Sequence, residues 1–153
     1  MLLALLVAQM LLVPSRPEFG YMSGVERPAA LIQSLSPQAS VLYSGHHDAA
    51  FVFAMRELDA ERATRTYRTS VQVAEPEDVA EFLATTPVQF VAVEAASDLD
   101  SPVVYAQFRE ALEPLSELGF MELAAFDLSY DQAGIRHNIR LVVHARGDII
   151  VPR

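Results

Sequence analysis

Ser44-Gly45-His46-His47-Asp48 is the stretch of this chain whose residue types could do chemistry in closest company. A hydroxyl, two imidazoles and a carboxylate side by side can share a proton, hold an anion or begin a metal site. The stretch follows a short apolar run, Val41-Leu42-Tyr43, and precedes an alanine-rich helical segment. It therefore falls where a strand of an open α/β sheet hands over to a helix, the place where such sheets gather ligands. The spacing argues against a metal centre, because adjacent side chains diverge and a well-formed site needs three or four converging ligands. The remaining histidines, His137 and His144, lie far along the chain. Ser44, His46, His47 and Asp48 stand as candidate ligand-loop residues, weighed against a solvated loop in which Asp48 caps the following helix. No catalytic residue, metal ligand set or cofactor is assigned.

Other chemistry has less behind it. Ser44 lacks the G-x-S-x-G elbow of a hydrolase nucleophile, since Leu42 and His46 occupy the glycine positions. Neither G-x-G-x-x-G nor a P-loop is present, so nucleotide binding has no motif. Glu94, Asp98 and Asp100 follow an apolar run and could pair for acid–base or metal work, but such acids more often cap the next helix. Asp127, Tyr130 and Asp131 sit by an expected turn, where these types are ordinary. Arg56, Arg62, Arg65 and Arg68 form a loose basic stretch. Arg65 and Arg68 fall on opposite faces of an ideal strand, so surface ion pairing is expected of them.

These residues must be positioned by one domain, for 153 residues leave little room for a second. An apolar content of 52% with 20% charged residues excludes a disordered acidic tail. The net charge of −9, with arginine as the sole basic type and no basic run, argues against nucleic acid as a partner. The lack of cysteine removes disulfides, thiol catalysis and thiolate metal sites. Met1 to Val13 is apolar except for Gln9 and stops at Pro14-Ser15-Arg16-Pro17. A thirteen-residue helix reaches about 20 Å against a bilayer core of about 30 Å. Without a charged lead or a cleavage site it reads as the last part of a membrane helix that begins upstream, so the membrane is an expected partner through residues 1–13.

Residues 14–27, rich in Pro, Gly and Ser, read as a linker, and 28–153 as a soluble domain. A helix is expected over Pro28–Leu35, a strand at Val41–Tyr43, a helix after an Asp48 N-cap, and a strand over residues 64–71. A helix beginning at Glu75-Pro76-Glu77-Asp78, a strand over Val88–Val93 and a helix from Pro102 to Glu113 follow. Phe120–Leu128 and Ile135–Ala145 should pair as a hairpin through the turn at 131–134. The alternation predicts an α/β fold: a small three-layer domain with a mostly parallel sheet and a C-terminal antiparallel edge hairpin, preceded by a partial membrane helix.

The segment Val41 to Thr69, VLYSGHHDAAFVFAMRELDAERATRTYRT, resembles the tail of bacterial GT-C type glycosyltransferases. These are multi-spanning enzymes, similar to protein mannosyltransferases and aminoarabinose transferases, that use polyprenyl-phosphate sugars. The resemblance rests on Val41 to Gly45, Asp48 with Phe51, Phe53 and Arg56, Arg62 with Arg65 and Arg68, and Val88 to Glu94, behind the apolar run and its proline linker. It covers residues 1–95. Thr69-Ser70-Val71 stands where relatives often continue with Gly, Asp or Lys. The resemblance implies a non-catalytic, membrane-proximal domain on the extracytoplasmic side of the bacterial inner membrane, partnered by a multi-spanning glycosyltransferase body. The family's catalytic acids sit in a loop near its first membrane helices, which nothing here matches. The chain is therefore not expected to be an enzyme by itself. The alternatives are a stand-alone α/β binding module or small enzyme using the Ser44–Asp48 loop, and a membrane-anchored interaction protein.

Overall fold

The computed structural model describes residues 20–98 and 102–149. The expected membrane segment at 1–13, and Asp100, lie outside the described residues. Among the described residues no helix is long and apolar enough to cross a membrane. The fold is mixed α/β. In chain order come β1 (Tyr21–Ser23), α1 (Glu26–Leu35), β2 (Ser40–Ser44), α2 (Asp48–Leu58), β3 (Arg65–Arg68), α3 (Thr69–Gln72), α4 (Val79–Thr85), β4 (Phe90–Ser97), α5 (Val103–Ala111), β5 (Phe120–Gln132) and β6 (Ile135–Arg146). Short 3-10 turns at Pro76–Asp78 and Glu113–Ser116 lead into α4 and out of α5.

The strands form one sheet in the order β1-β5-β6-β4-β2-β3. β2 runs parallel to β3 and β4, while β4–β6, β6–β5 and β5–β1 are antiparallel. All of β2 is buried, as a strand covered on both faces requires, and its sequence SVLYS accordingly does not alternate. Val41, Tyr43, Phe90, Leu141 and Val143 face Ala29 and Ile32 of α1 and Phe51, Ala54 and Met55 of α2. Leu42, Val91 and Val93 face Val79 and Leu83 of α4, Phe108 of α5 and Leu112 just past its end. The pleat thus sends successive residues of β2 and β4 into two separate apolar clusters. After α2, the carboxylate of Asp59 accepts the backbone N–H groups of Ala63 (3.0 Å) and Thr64 (2.7 Å), which turns the chain into β3.

Several expectations are corrected. The sheet is mixed and not mostly parallel, and its hairpin is internal: β6 pairs with β4, and β1 lies on the outer side of β5. β1 falls inside the expected linker. Flanked by Gly20 and Gly24 it carries no local strand signal, and it is held by pairing Tyr21–Ser23 with Asp131–Ser129 and by burying Met22. α1 starts at Glu26, two residues before Pro28. β3 stops at Arg68, where its neighbour β2 runs out, and Thr69-Ser70-Val71 turns into one helical turn despite its β-branched residues. β4 is displaced to Phe90–Ser97, and β5 runs to Gln132, so the turn narrows to Ala133-Gly134, both at positive φ. α5 ends at Ala111, ahead of Pro114.

Beyond residues 129–131 the outer side of β5 has no strand partner among the described residues. In the same strand, the β5–β6 pairing has a register shift between Glu122 and Ala124. Arg27 reaches it from α1, donating to the Asp127 carbonyl at 2.9 Å with its guanidinium over the Phe126 ring.

Candidate functional site

The carboxyl ends of β2 and β4 meet at Glu94. This side chain closes an apolar strand run, where a carboxylate is costly unless it is bonded. Its Oε1 accepts the Tyr43 hydroxyl, the His47 backbone N–H (2.9 Å) and His47 Nδ1 (3.1 Å), and its Oε2 accepts the His46 N–H (3.2 Å). Burial pushes the Glu94 carboxyl up, but the hydrogen bonds from His47 and Tyr43, joined by the His47 charge whenever that ring is protonated, outweigh it and hold it below the ordinary range. Burial, then the Glu94 charge, push the Tyr43 hydroxyl well above its usual value, so it stays a donor. An irregularity in the β4–β6 register between Glu94 and Ala96 marks the same place, as bulges often do where a side chain is re-aimed. Gly45 makes the approach possible: a Cβ there would stand 2.3 Å from the Glu94 carboxyl carbon.

The orientation of His47 follows. An ionised carboxylate only accepts, so Nδ1 carries the proton it donates to Glu94. In the neutral ring Nε2 is then a bare acceptor, and it is buried without a partner. A carboxylate-oriented imidazole with a free Nε2 is the arrangement of a general base. Here the base is shut. The Tyr130 ring lies over it with centroids 4.4 Å apart, and His46 packs edge-on to both His47 (5.1 Å) and Tyr105 (5.4 Å). Burial and the nearby Asp48 and Glu94 charges push the Tyr105 hydroxyl up.

The four candidate loop residues do not share one task. Ser44 is buried and its hydroxyl accepts that of Thr69 at 3.3 Å. His46 is exposed, while His47 is buried on Glu94. Asp48 is the first helical residue of α2, with His47 at the cap position, so the expected Asp48 cap is absent. Its carboxylate instead accepts the Ser70 hydroxyl (2.8 Å) and faces Arg68 (3.7 Å). Of the acidic set, Glu94 joins the site. Asp98 leaves it, accepting the backbone and side-chain N–H groups of Asn138 at 3.1 and 2.9 Å. Of the arginines, Arg68 meets Asp48 across β3 and α2.

Among the described residues no group of three or more His, Asp or Glu side chains is placed to hold a metal ion. A groove of about 580 Å³ opens at the opposite, amino end of the parallel strands, beside Arg65, Gln89 and Arg146, and holds none of the candidate residues. Its Arg146 is committed to the carbonyls of Val88 (3.0 Å) and Leu83 (2.9 Å).

The sequence carries no local sign of Tyr43, Gly45 and Tyr105 at the site, and Tyr130, expected to be an ordinary turn residue, packs on His47. One signal was available: Glu94 is the lone charge ending the run Val88–Val93, and a buried acid demands donors. No family model, curated protein or solved structure matches the chain.

Proposed function

We propose that this chain is a non-catalytic, membrane-proximal domain of the kind that accompanies a polyprenyl-phosphate-sugar-dependent GT-C glycosyltransferase, on the extracytoplasmic side of a bacterial inner membrane. In this reading the domain is three-layered, with α1 and α2 on one face of the sheet and α4 and α5 on the other. The observation that carries the reading is the inward turn of the motif stretch. Ser44 bonds Thr69, and His47 bonds Glu94 through its backbone N–H and Nδ1, tying β2 and the start of α2 to α3 and β4, which is what a scaffold does with them. The apolar run Met1–Val13 supplies the membrane attachment.

The test is flotation. The full chain, expressed in bacteria, should float with membranes after carbonate washing and transfer no sugar from a polyprenyl-phosphate donor by itself. Recovery in the soluble fraction, or turnover without a partner, overturns the reading. A second reading, a small acid–base or binding site, is favoured by one observation: the buried, unpartnered Nε2 of His47. It is supported if a sugar phosphate from a screened panel raises the melting temperature and His47→Gln abolishes that rise without lowering the unliganded melting temperature.

A further inference from the structure

The carboxyl end of the parallel strands is crowned with exposed apolar side chains. Val71 rides on α3, directly past β3, and Val103 and Val104 open α5, past β4. Ile135 opens β6 at the hairpin tip, and Tyr21 pairs with Asp131 beside it. Tyr21 and Val103 are 70% and 73% exposed, values that leave almost the whole side chain to solvent. The other exposed large apolar side chains among the described residues, Phe53, Leu58 and Met121, stand on the flank or at the opposite end.

Charges of both signs lie at each end. At the crowned end Arg68 faces Asp48 (3.7 Å), Arg136 faces Asp131 (3.1 Å) and Arg140 faces Asp127 (3.7 Å), while the exposed acids Glu75, Glu77 and Asp78 follow α3 and Asp98 follows β4. Toward the amino end of the sheet the exposed acids Glu57, Glu61, Glu113, Glu117, Glu122 and Asp148 are interspersed with exposed Arg56, Arg62 and Arg65. β4 alone spans eight residues, about 26 Å, against a screening length of about 8 Å at physiological ionic strength. A surface touching the crown would scarcely feel the charges of the far end.

The chain also enters the fold at this end, through Gly20 next to Tyr21. Seven Cα–Cα steps separate Gly20 from Val13, a reach of at most about 25 Å whatever their path. We propose that the crowned end of the sheet, with Tyr21, Val71, Val103, Val104 and Ile135, lies against a lipid bilayer, and that the amino end of the parallel strands points away from it. An aromatic ring with aliphatic side chains is the chemistry that suits the headgroup boundary. The inference rests on the membrane-proximal reading above and adds its orientation.

The chain contains no cysteine, so single cysteines report one position each. Val103→Cys and Ile135→Cys at the crown, and Glu61→Cys and Asp148→Cys at the far end, are exposed sites for an environment-sensitive fluorophore. The labelled full chain is reconstituted into phosphatidylethanolamine–phosphatidylglycerol vesicles bearing a nitroxide on a fraction of the headgroups. Labels at 103 and 135 should be quenched severalfold more strongly than those at 61 and 148. Equal or reversed quenching in chains that float with the vesicles overturns the orientation and leaves the membrane attachment standing. Chains that do not float overturn both. Should either crown variant lose its native circular dichroism, Val71→Cys and Tyr21→Cys carry the same reading.

Discussion

At the scale of single residues, Glu94 decides how the candidate site is read. A carboxylate accepting two backbone N–H groups, a phenol and an imidazole is satisfied, and satisfaction is what lets it stay charged while only 8% exposed. Removing one donor exposes the cost. Tyr43→Phe, which keeps the ring stacked on Phe51 at 4.7 Å but deletes the hydroxyl, should cost about 1.5–3 kcal/mol, the worth of a hydrogen bond to a charged group. Denaturant titration of the full chain measures it, and an unchanged midpoint would show that the bond contributes nothing. Gly45→Ala should cost about 1–3 kcal/mol by forcing the Glu94 carboxyl away, and should leave the His46 and His47 N–H groups fast in hydrogen exchange.

Elements explain why part of this was legible in the sequence and part was not. The strand–loop–helix order around Ser44–Asp48 could be read because the apolar run Val41–Tyr43 and the alanine-rich helix are local signals. That His47 would turn inward could not, because its partner lies 47 residues away on a strand that pairs beside β2 only in the folded sheet. The same holds for Tyr130, delivered to His47 by the far hairpin strand. Asp48 offered a good local cap, and a distant carboxylate took the backbone groups of the loop instead. β1 was unreadable for a related reason: three residues between glycines become a strand only when β5 offers them an edge. Met22 is its single buried anchor, so Met22→Ala should cost about 2–5 kcal/mol in a thermal or denaturant melt and release β1 from β5. A loss well under 1 kcal/mol would mean that β1 is held by its backbone alone.

Over the whole molecule, acid sensitivity should come in two windows. Burial pulls the His144 imidazole down further than the Glu122 charge and a backbone hydrogen bond at Val91 raise it. The folded state therefore prefers it neutral, and stability present above about 6.5, the free histidine value, is lost as pH falls below that. Glu94 and Asp59 are both held low, Asp59 chiefly by the Thr64 N–H. Their stabilisation is present above the ordinary carboxylate range of about 4 and disappears as pH falls through their lower folded values. Melting temperature against pH should show both limbs. His144→Gln should flatten the first, and Glu94→Gln should flatten the second while lowering the neutral plateau. A single limb near pH 4 would remove His144 from the account. The outer flank of β5, unpaired beyond β1 among the described residues, has one further consequence. An unpaired ladder of N–H and C=O groups is a template on which another extended chain can grow, the first step toward fibres. Here the register shift at Glu122 bends the template and Arg27 stoppers it at Asp127, two features among the described residues that oppose such growth.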